Sequence, residues 1–364
     1  MVGEGGQHAL MQPAELAHAL KQEARRLGFT LAGIACPVPP THLDVYLAWL
    51  KAGRQAGMGY LAEPRAVERR SDPHLILPEC QSILVLGVPY YNPNYAGAHD
   101  LQSAHGPHGR VAAYAWGEDY HLVLPQRLEA LVRFLERLTG SPVPNRWYTD
   151  TGPILERELA MQAGLGWIGK NTCLINPRHG SYFLLSEILL GIPLPPDPPQ
   201  VTDQCGSCTR CIQACPTGCI RQDRTLNASR CISYLTIENK AEIPLDLRAS
   251  VGDWVFGCDL CQMVCPWNKH FAHDEGDPMF APRPGVAFPD LATELMLTPQ
   301  EFNSKFKDSP VKRAKRRGYL RNTATVAGNS ADQRLTHVLE HSGQDDEPLV
   351  REAAGWAMAR VKPS

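Results

Sequence analysis

The segment Cys205-Gly-Ser-Cys208-Thr-Arg-Cys211-Ile-Gln-Ala-Cys215-Pro216 decides how this chain is organised. Three cysteines follow one another at intervals of three residues, and a fourth precedes a proline. A second run, Cys258-Asp-Leu-Cys261-Gln-Met-Val-Cys265-Pro266, ends in the same way, and Cys231 lies between the two runs. Each iron atom of an iron–sulfur cluster needs a thiolate ligand, and short loops let three sulfurs converge on one cubane face. The spacing therefore predicts two 4Fe–4S clusters.

The two runs also predict how the ligands are shared. In bacterial two-cluster ferredoxins the fourth cysteine of each run binds the other cluster, because the chain folds back with approximate twofold symmetry. One predicted ligand set is Cys205, Cys208, Cys211 and Cys265, and the other is Cys215, Cys231, Cys258 and Cys261. Structural zinc sites also use Cys-x2-Cys pairs, but zinc explains neither the third cysteine of each run nor the two Cys-Pro endings. We expect the two adjacent clusters to conduct electrons.

Length and composition limit the remaining possibilities. The chain has 364 residues, enough for two or three domains, and a formal net charge of −2, which does not by itself indicate a nucleic-acid-binding protein. Its 12 cysteines lie mostly in the cluster runs, which favours a reducing compartment over a disulfide framework. No stretch is long and apolar enough to span a bilayer, so we predict a cytoplasmic protein. The cysteines outside the predicted ligand sets, expected to be buried thiols, are Cys36, Cys80, Cys173 and Cys219.

The region before the cysteine runs alternates helix and strand patterns. Apolar residues recur at helical spacing over 13–27 and 42–52, while 29–35, 82–88 and 182–190 are apolar segments, the first two typical of buried strands. This alternation predicts an α+β arrangement. A segment with five prolines, 193–199, predicts a stiff linker into the cluster module.

Asp150 lies where a predicted strand ends and a predicted helix begins. The residues before it are typical of a strand, and Pro153 suits the first turn of a helix that Gly164 would end. Functional side chains are common at such junctions. Asp150 could equally serve only as a helix cap, which would stabilise the chain by about 1 kcal/mol. Thr151 could cap the helix as well, so the pattern leaves both roles open.

The segment 164–169 has the Gly-x-Gly-x-x-Gly spacing of dinucleotide-binding loops. These glycines end a predicted helix instead of joining a strand to a helix, so the context disfavours nicotinamide or flavin binding. A glycine-dense loop followed by Lys170 and Asn171 still suits close approach of the backbone to a bulky ligand.

The C-terminal region has a helical pattern and a basic segment, unlike the regions before it. From about Leu297 the apolar spacing predicts short antiparallel helix pairs of the HEAT-repeat kind. Just before these pairs the chain is rich in Lys and Arg between 305 and 321, with few acidic residues nearby. Such a local excess of positive charge indicates phosphate binding, although an ordinary exposed helix face is the alternative. The predicted division is 1–198 for a first domain, 199–272 for the cluster module and 273–364 for a helical domain.

Together, several short motifs resemble the epoxyqueuosine reductase family over nearly the whole chain. The motifs that carry the resemblance are Arg70-Ser-Asp-Pro73, Tyr114-Ala-Trp-Gly-Glu-Asp-Tyr-His121, Asp150-Thr-Gly-Pro153, Gly164-Leu-Gly-Trp-Ile-Gly-Lys-Asn171 and the complete cysteine set. Each motif alone is modest, but their order along the chain is specific.

The resemblance implies a cobalamin-dependent enzyme whose catalytic part is related to reductive dehalogenases. It implies a nitroreductase-like first domain that binds cobalamin, and two clusters that reduce the cobalt. The implied reaction reduces epoxyqueuosine to queuosine at the wobble position of tRNA, the last step of queuosine biosynthesis. A low-potential donor such as a ferredoxin or flavodoxin would supply the electrons, and we expect a monomer.

The same resemblance assigns roles to residues. Asp150 corresponds to the family's proposed proton donor. The residues implied to contact the corrin are Arg70, Tyr114, Asp150, Lys170, Asn171 and Ser186. The residues expected to grip tRNA phosphates are Lys312, Arg313, Lys315, Arg316, Arg317 and Arg321.

Three other functions remain open. A dedicated iron–sulfur electron carrier would not need a first domain of about 200 residues. An RNA-binding protein with structural clusters would never change their oxidation state. A cytoplasmic reductive dehalogenase would have no use for the basic C-terminal region.

Overall fold

The structure, a computed structural model, describes residues 11–93, 106–272 and 276–361. Up to the cysteine runs, the elements in chain order are α1 (Pro13–Arg26), β1 (Leu31–Ala35), α2 (Leu43–Lys51), α3 (Pro64–Ser71), β2 (Ser82–Pro89), β3 (Arg110–Val111), α4 (Tyr120–Thr139), β4 (Asn145–Tyr148), α5 (Glu156–Gln162), β5 (Trp167–Ile168), β6 (Leu174–Ile175) and β7 (Phe183–Leu190).

The second half is mostly helical. Its elements are α6 (Arg210–Ala214), α7 (Ile232–Ile237), α8 (Leu245–Arg248), β8 (Trp254–Phe256), α9 (Leu260–Met263), α10 (Pro266–Phe271), α11 (Leu291–Leu295), α12 (Pro299–Lys305), α13 (Lys315–Ser330), α14 (Thr336–Ser342) and α15 (Pro348–Val361). The mixture of helices and strands confirms the predicted α+β class.

A four-stranded antiparallel sheet with the order β1-β2-β7-β4 organises the first half. Strands β2 and β7 are central and almost completely buried, which explains their nearly continuous apolar sequences. In the register of the sheet, Glu187 of β7 lies opposite Val85 on one side and Tyr148 on the other. The sheet thus carries an ionisable residue in its centre.

The two faces of the sheet are covered by different helices, as the alternation of side chains along a strand requires. One face, with Leu86 and Ile188, packs against α1 and α4. The other face, with Val85 and Leu189, packs against α5. The helices on both sides exclude water from the sheet and hold the turn after β4 in place.

The connection from β4 to α5 differs from the prediction. The helix begins at Glu156, not at Pro153, and the residue before it, Leu155, occupies the cap position without a capping side chain. Asp150 adopts a left-handed backbone conformation with φ of 59°, which Asp tolerates better than most residues. A Cβ atom at Gly152 would lie 2.5 Å from Cγ of Tyr148, so this tight turn requires glycine.

The C-terminal helices share a core with the rest of the chain. Helix α13 is buried along most of its length and packs against α15, β8 and α7. One continuous set of buried apolar residues joins Leu86 of the sheet, Phe256 of β8 and Leu320 of α13. The C-terminal helices therefore pack directly against the segment that carries the second cysteine run.

Within the described ranges, no helix has both the length and the apolar character needed to cross a membrane.

Candidate functional site

The first predicted ligand set surrounds one cavity. A space of about 340 Å³ is lined by Cys205, Cys208, Cys211 and Cys265. Cys205 and Cys208 lie in the loop before α6 and Cys211 lies within α6, whereas Cys265 stands 54 positions after Cys211 and directly precedes α10. Folding therefore brings the distant fourth thiol to the cavity of the other three, as the ferredoxin pattern predicts. A cavity with four thiols suits a 4Fe–4S cluster.

The second set is also brought together. Cys258 interacts electrostatically with Cys231 and Cys215, and Cys261 interacts with Cys258 and Cys231. Cys231 directly precedes α7, and its backbone is extended. These four thiols have the composition that a second 4Fe–4S cluster requires.

Two thiols outside the predicted sets adjoin the second group. Cys219 is buried, as expected, and its sulfur lies 3.4 Å from that of Cys215. Cys173 is only partly buried and contacts Cys261. The prediction of buried thiols holds for Cys80 but not for Cys36, which is exposed.

The structure places Lys170 and Asn171 at the iron–sulfur module. The Lys170 ammonium donates hydrogen bonds to the carbonyl oxygens of Gly206 at 2.6 Å and Cys208 at 2.9 Å. The Asn171 amide approaches the carbonyl oxygen of Cys261 at 3.5 Å, and both residues line the first cavity. Their donor groups therefore brace the cysteine loops, and contact of these two residues with the corrin stays a prediction.

Asp150 is held by the start of helix α4. Its Oδ2 atom accepts a hydrogen bond of 2.9 Å from the Tyr120 hydroxyl and lies 3.6 Å from Nε2 of His121. Its side chain remains 62% exposed. The side chain therefore points towards α4 and does not cap α5, so the cap interpretation is wrong.

The charges around Asp150 favour its ionised form. Burial would raise the pKa of Asp150, but the nearby His121 ring and the hydrogen bond from Tyr120 outweigh it and hold the pKa below its ordinary value. Burial would likewise lower the pKa of His121, but its hydrogen bond to Asp119 and its ion pair with Asp150 raise it to about 9. At neutral pH the resting site therefore contains an imidazolium beside a carboxylate.

Two further carboxyl groups lie behind Asp150. The Oε1 atom of Glu156 accepts a hydrogen bond of 2.5 Å from the backbone N–H of Asp150. Burial and, next, the Asp150 carboxylate raise the pKa of Glu156 to about 7. Glu187 is completely buried in the sheet, and burial followed by the charges of Glu156 and Asp150 raises its pKa well above the ordinary value.

Two predicted corrin contacts border the Asp150 turn, and a third, Ser186, precedes Glu187 in β7. Arg70 lies in the last turn of α3, and its guanidinium approaches the carbonyl oxygen of Gly152 at 3.5 Å. Tyr114 packs 6.2 Å from the Tyr120 ring, and burial, with a contribution from Asp150, raises its pKa well above the ordinary value. Ser186 is completely buried in β7 and, in the part of the chain that the structure describes, its hydroxyl has no hydrogen-bond partner.

The basic segment divides into exposed and internal side chains. Lys312, Arg313, Lys315 and Arg317 are exposed. Arg316 is half-buried, and its guanidinium binds Asp345 at 2.6 Å and the carbonyl oxygen of Leu297 at 2.7 Å.

Arg321 contradicts its predicted role. Arg321 is only 1% exposed, and its guanidinium donates hydrogen bonds to the carbonyl oxygens of Leu235, Asn239 and Ala241. These bonds tie α13 to the cysteine-bearing half of the chain. Arg321 is therefore a structural residue and is not available to phosphates.

The fold and the grouped thiols define an α+β oxidoreductase with a module for two iron–sulfur clusters. Residues 204–268 match the family described as 4Fe-4S double cluster binding domain, and residues 70–151 match Epoxyqueuosine reductase QueG, DUF1730. The epoxyqueuosine reductase of Xanthomonas campestris pv. campestris is 39% identical over 352 residues, which cover 96% of this chain and 97% of that protein. The chain belongs to the epoxyqueuosine reductase family.

Solved structures of epoxyqueuosine reductases have the same fold. One, with an epoxyqueuosine-modified tRNA stem loop, matches with a TM-score of 0.86 and 30% identity, covering 97% of this chain and 92% of that one. Another, from Bacillus subtilis, has an aspartate-bearing catalytic loop swung out of the active site. It matches with a TM-score of 0.85 and 30% identity, over 97% and 92% of the two chains.

Sequence reasoning did not single out His121, Glu156 or Glu187. His121 lies inside a quoted motif, but its contact with Asp150 depends on how α4 meets the turn after β4. Glu187 could have been noticed, because a glutamate in the middle of the apolar segment Phe183–Leu190 is unusual for a buried strand.

Proposed function

We propose that this enzyme reduces epoxyqueuosine to queuosine at the wobble position of tRNA, the last step of queuosine biosynthesis. The observation that carries the proposal is the exposed Asp150 carboxylate, held by Tyr120 and His121 in a chain that also groups eight thiols into two sets. Family membership favours this reaction over an electron carrier, a dehalogenase or an RNA-binding protein with structural clusters.

Asp150 is the proposed proton donor. An epoxide gains two electrons and two protons when it becomes an alkene and its oxygen leaves as water. The departing oxygen is a poor leaving group until it is protonated, which makes a positioned acid necessary. Because Asp150 rests as a carboxylate next to charged His121, it must receive a proton before or during each reduction. The swung-out catalytic loop of the Bacillus subtilis relative is consistent with an exposed, movable turn in this role.

Two 4Fe–4S clusters are the proposed electron path to the site. The first would be held by Cys205, Cys208, Cys211 and Cys265, and the second by Cys215, Cys231, Cys258 and Cys261. Lys170 braces the first loop through two backbone carbonyls. We expect a ferredoxin or flavodoxin to supply the electrons.

The residues around Asp150 also fit a cobalamin. Arg70 and Tyr114 border the turn, and the buried Ser186 hydroxyl has no protein partner among the described residues, so a polar group of a ligand could satisfy it. When bound, cobalamin would supply a low-valent cobalt centre able to reduce the epoxide carbon. Arg70, Tyr114, Ser186 and Asp150 are the residues proposed to hold or face it.

The exposed basic residues are the proposed contact for tRNA phosphates. Arg313 binds the Glu238 carboxylate at 2.8 Å and lies within electrostatic reach of the Asp150 carboxylate. Lys312, Lys315 and Arg317 extend the positive surface from there. An anticodon loop bound here would bring an unstacked wobble base towards Asp150.

The proposed domain division is 1–198 for a nitroreductase-like cobalamin domain, 199–272 for the ferredoxin-like module and 273–364 for a HEAT-like domain. We further propose a monomeric, cytoplasmic enzyme.

Mass analysis of the product tests this function. Anaerobic protein with loaded clusters, cobalamin and a strong reductant is mixed with tRNA that carries epoxyqueuosine, and the nucleosides are then weighed. The expected result is loss of one oxygen atom only when cobalamin is added. No change of mass with clusters and cobalamin demonstrably bound would refute the proposal.

A further inference from the structure

Three carboxyl groups converge at the Asp150 turn from three different elements. Asp150 comes from the turn itself, Glu156 from the start of α5 and Glu187 from the middle of β7. The hydrogen bond of 2.5 Å from the Asp150 N–H fixes the Glu156 carboxyl beside the turn. Electrostatic interaction couples Glu187 to both of the others. A single proton donor needs one carboxyl group, whereas this turn has three.

Glu187 has the surroundings of a neutral acid. Glu187 is 0% exposed, and neither oxygen of its carboxyl group has a hydrogen-bond partner within the described part of the chain. Burying an ionised carboxylate without a partner costs roughly several kcal/mol, so the carboxyl group keeps its proton and stays neutral. A carboxyl in the central strand of a sheet is costly even when neutral, which suggests that it has a function.

The neighbours of the cluster decide which carboxyl ionises. Asp150 accepts a hydrogen bond from the Tyr120 hydroxyl and lies next to the charged ring of His121. Glu156 faces Asp150 and Glu187, and the positive groups that act on it are Arg157 and, more weakly, His121. Because three adjacent carboxyls cannot all ionise cheaply, the negative charge rests on Asp150 and the protons rest on the two glutamates. The raised pKa values of Glu156 and Glu187 agree with this distribution of one negative charge and two protons.

We propose that Glu156 and Glu187 form a proton store behind Asp150, from which Glu156 supplies one of the two protons that each reduction consumes. The inference rests on the proposed function. The epoxide takes up two electrons from the iron–sulfur path and two protons, its two C–O bonds break, a C=C bond forms and one water leaves. Asp150 delivers a proton to the oxygen, and Glu156 restores the proton to Asp150. Burial and the Asp150 carboxylate keep Glu156 protonated at rest, and the neutral Glu187 next to it adds no opposing charge. Both glutamates act through Asp150 and are therefore positioning residues.

The first test measures protonation without substrate. Infrared titration of the anaerobic, cluster-loaded protein should show a protonated carboxyl band that disappears as the pH rises through about 7. Glu156→Gln should remove this band, and Glu156→Asp should restore a titrating band. Asp150→Asn should leave a band from Glu156, shifted to lower pH because the neighbouring negative charge is gone. The matched control is Glu158→Gln, a buried glutamate of the same helix that binds the Thr41 N–H instead, and it should keep the band.

The second test measures the pH dependence of the reduction. With saturating tRNA, the rate of the wild-type enzyme should fall as the pH rises above about 7, and Glu156→Gln should lose this dependence and run about tenfold slower at pH 7. Glu156→Asp should recover most of the rate. An infrared band near pH 7 that survives in Glu156→Gln, or an unchanged pH profile in that variant, would overturn the proton store. A band that behaves as expected in a protein that never removes oxygen from epoxyqueuosine would instead refute the proposed function and support the assignment of the proton to Glu156.

Discussion

The Nε2 atom of His121 lies 3.6 Å from Oδ2 of Asp150, and the other nitrogen of the same ring lies 2.8 Å from Asp119. One imidazole thus bridges two carboxylates, of which only Asp150 is widely exposed. Asp150, the proposed acid, is therefore ionised at rest, and the protonated His121 ring lies next to it.

Replacing Asp150 by Asn should abolish most of the activity without damaging the protein. The amide preserves the shape and can still accept the Tyr120 hydrogen bond, but it cannot carry a proton to the leaving oxygen. Loss of a positioned general acid costs about 10²- to 10⁴-fold in rate. Single-turnover reduction of epoxyqueuosine tRNA measures the loss, and iron content and tRNA affinity should be unchanged.

The control for that variant is Asp44→Asn, which changes an exposed carboxylate at the start of α2. It should reduce tRNA at the wild-type rate. Full activity in Asp150→Asn would remove Asp150 from the mechanism.

His121 should be charged at pH 8 and should lose part of its pKa shift when Asp150 is neutral. Its pKa is raised to about 9 by two carboxylates acting against burial. Asp150→Asn removes one of them, whereas Asp119 remains at 2.8 Å, so we expect a pKa between the ordinary value and that of the wild type. Titration of the imidazole by nuclear magnetic resonance measures this. An equal pKa in both proteins would show that Asp150 does not stabilise the imidazolium.

Much of this architecture could be predicted from the sequence because local patterns determine it. The buried strands β1 and β2 and the helix α1 were expected from apolar spacing, and the distant Cys265 was expected beside Cys205 from the ferredoxin pattern. These features follow from residues close together in the chain or from a motif with fixed geometry.

Other features depend on tertiary contacts that no local pattern contains. Arg321 belongs to the same basic run as Arg317, yet the packing of α13 against α7 buries one and exposes the other. Lys170 follows a glycine-rich loop that suits a ligand, but its ammonium meets the carbonyls of Gly206 and Cys208. The pairing of Asp150 with His121 likewise required the crossing of α4 and the turn after β4.

Glu187 should make the stability of the protein fall as the pH rises. Its pKa in the folded protein is well above the ordinary value, so above pH 4.5 the unfolded chain releases a proton that the folded chain keeps. One such group lowers the free energy of unfolding by up to about 1.4 kcal/mol per pH unit until the folded pKa is reached. Glu187→Gln should therefore flatten the pH dependence of stability between pH 6 and 8.

Unfolding of the anaerobic protein at several pH values checks this prediction, with Glu158→Gln as the control. The difference between wild type and Glu187→Gln should grow with pH in favour of the variant. A constant difference would mean that Glu187 is ionised in the folded protein, contrary to its environment.

The neighbouring arginines Arg317 and Arg321 should respond to substitution in opposite ways. Arg317→Ala and Lys315→Ala remove exposed charges, so each should weaken tRNA binding and reduce the salt dependence of the binding constant by about one unit of log–log slope. Their stability should hardly change. Arg321→Ala instead leaves the buried carbonyl oxygen of Leu235, and those of Asn239 and Ala241, without their donor and should cost about 3 kcal/mol of stability. Titrations of tRNA at several salt concentrations, paired with unfolding measurements, separate the two effects. If Arg321→Ala remained fully stable and only weakened tRNA binding, the assignment of Arg321 to the interior would be wrong.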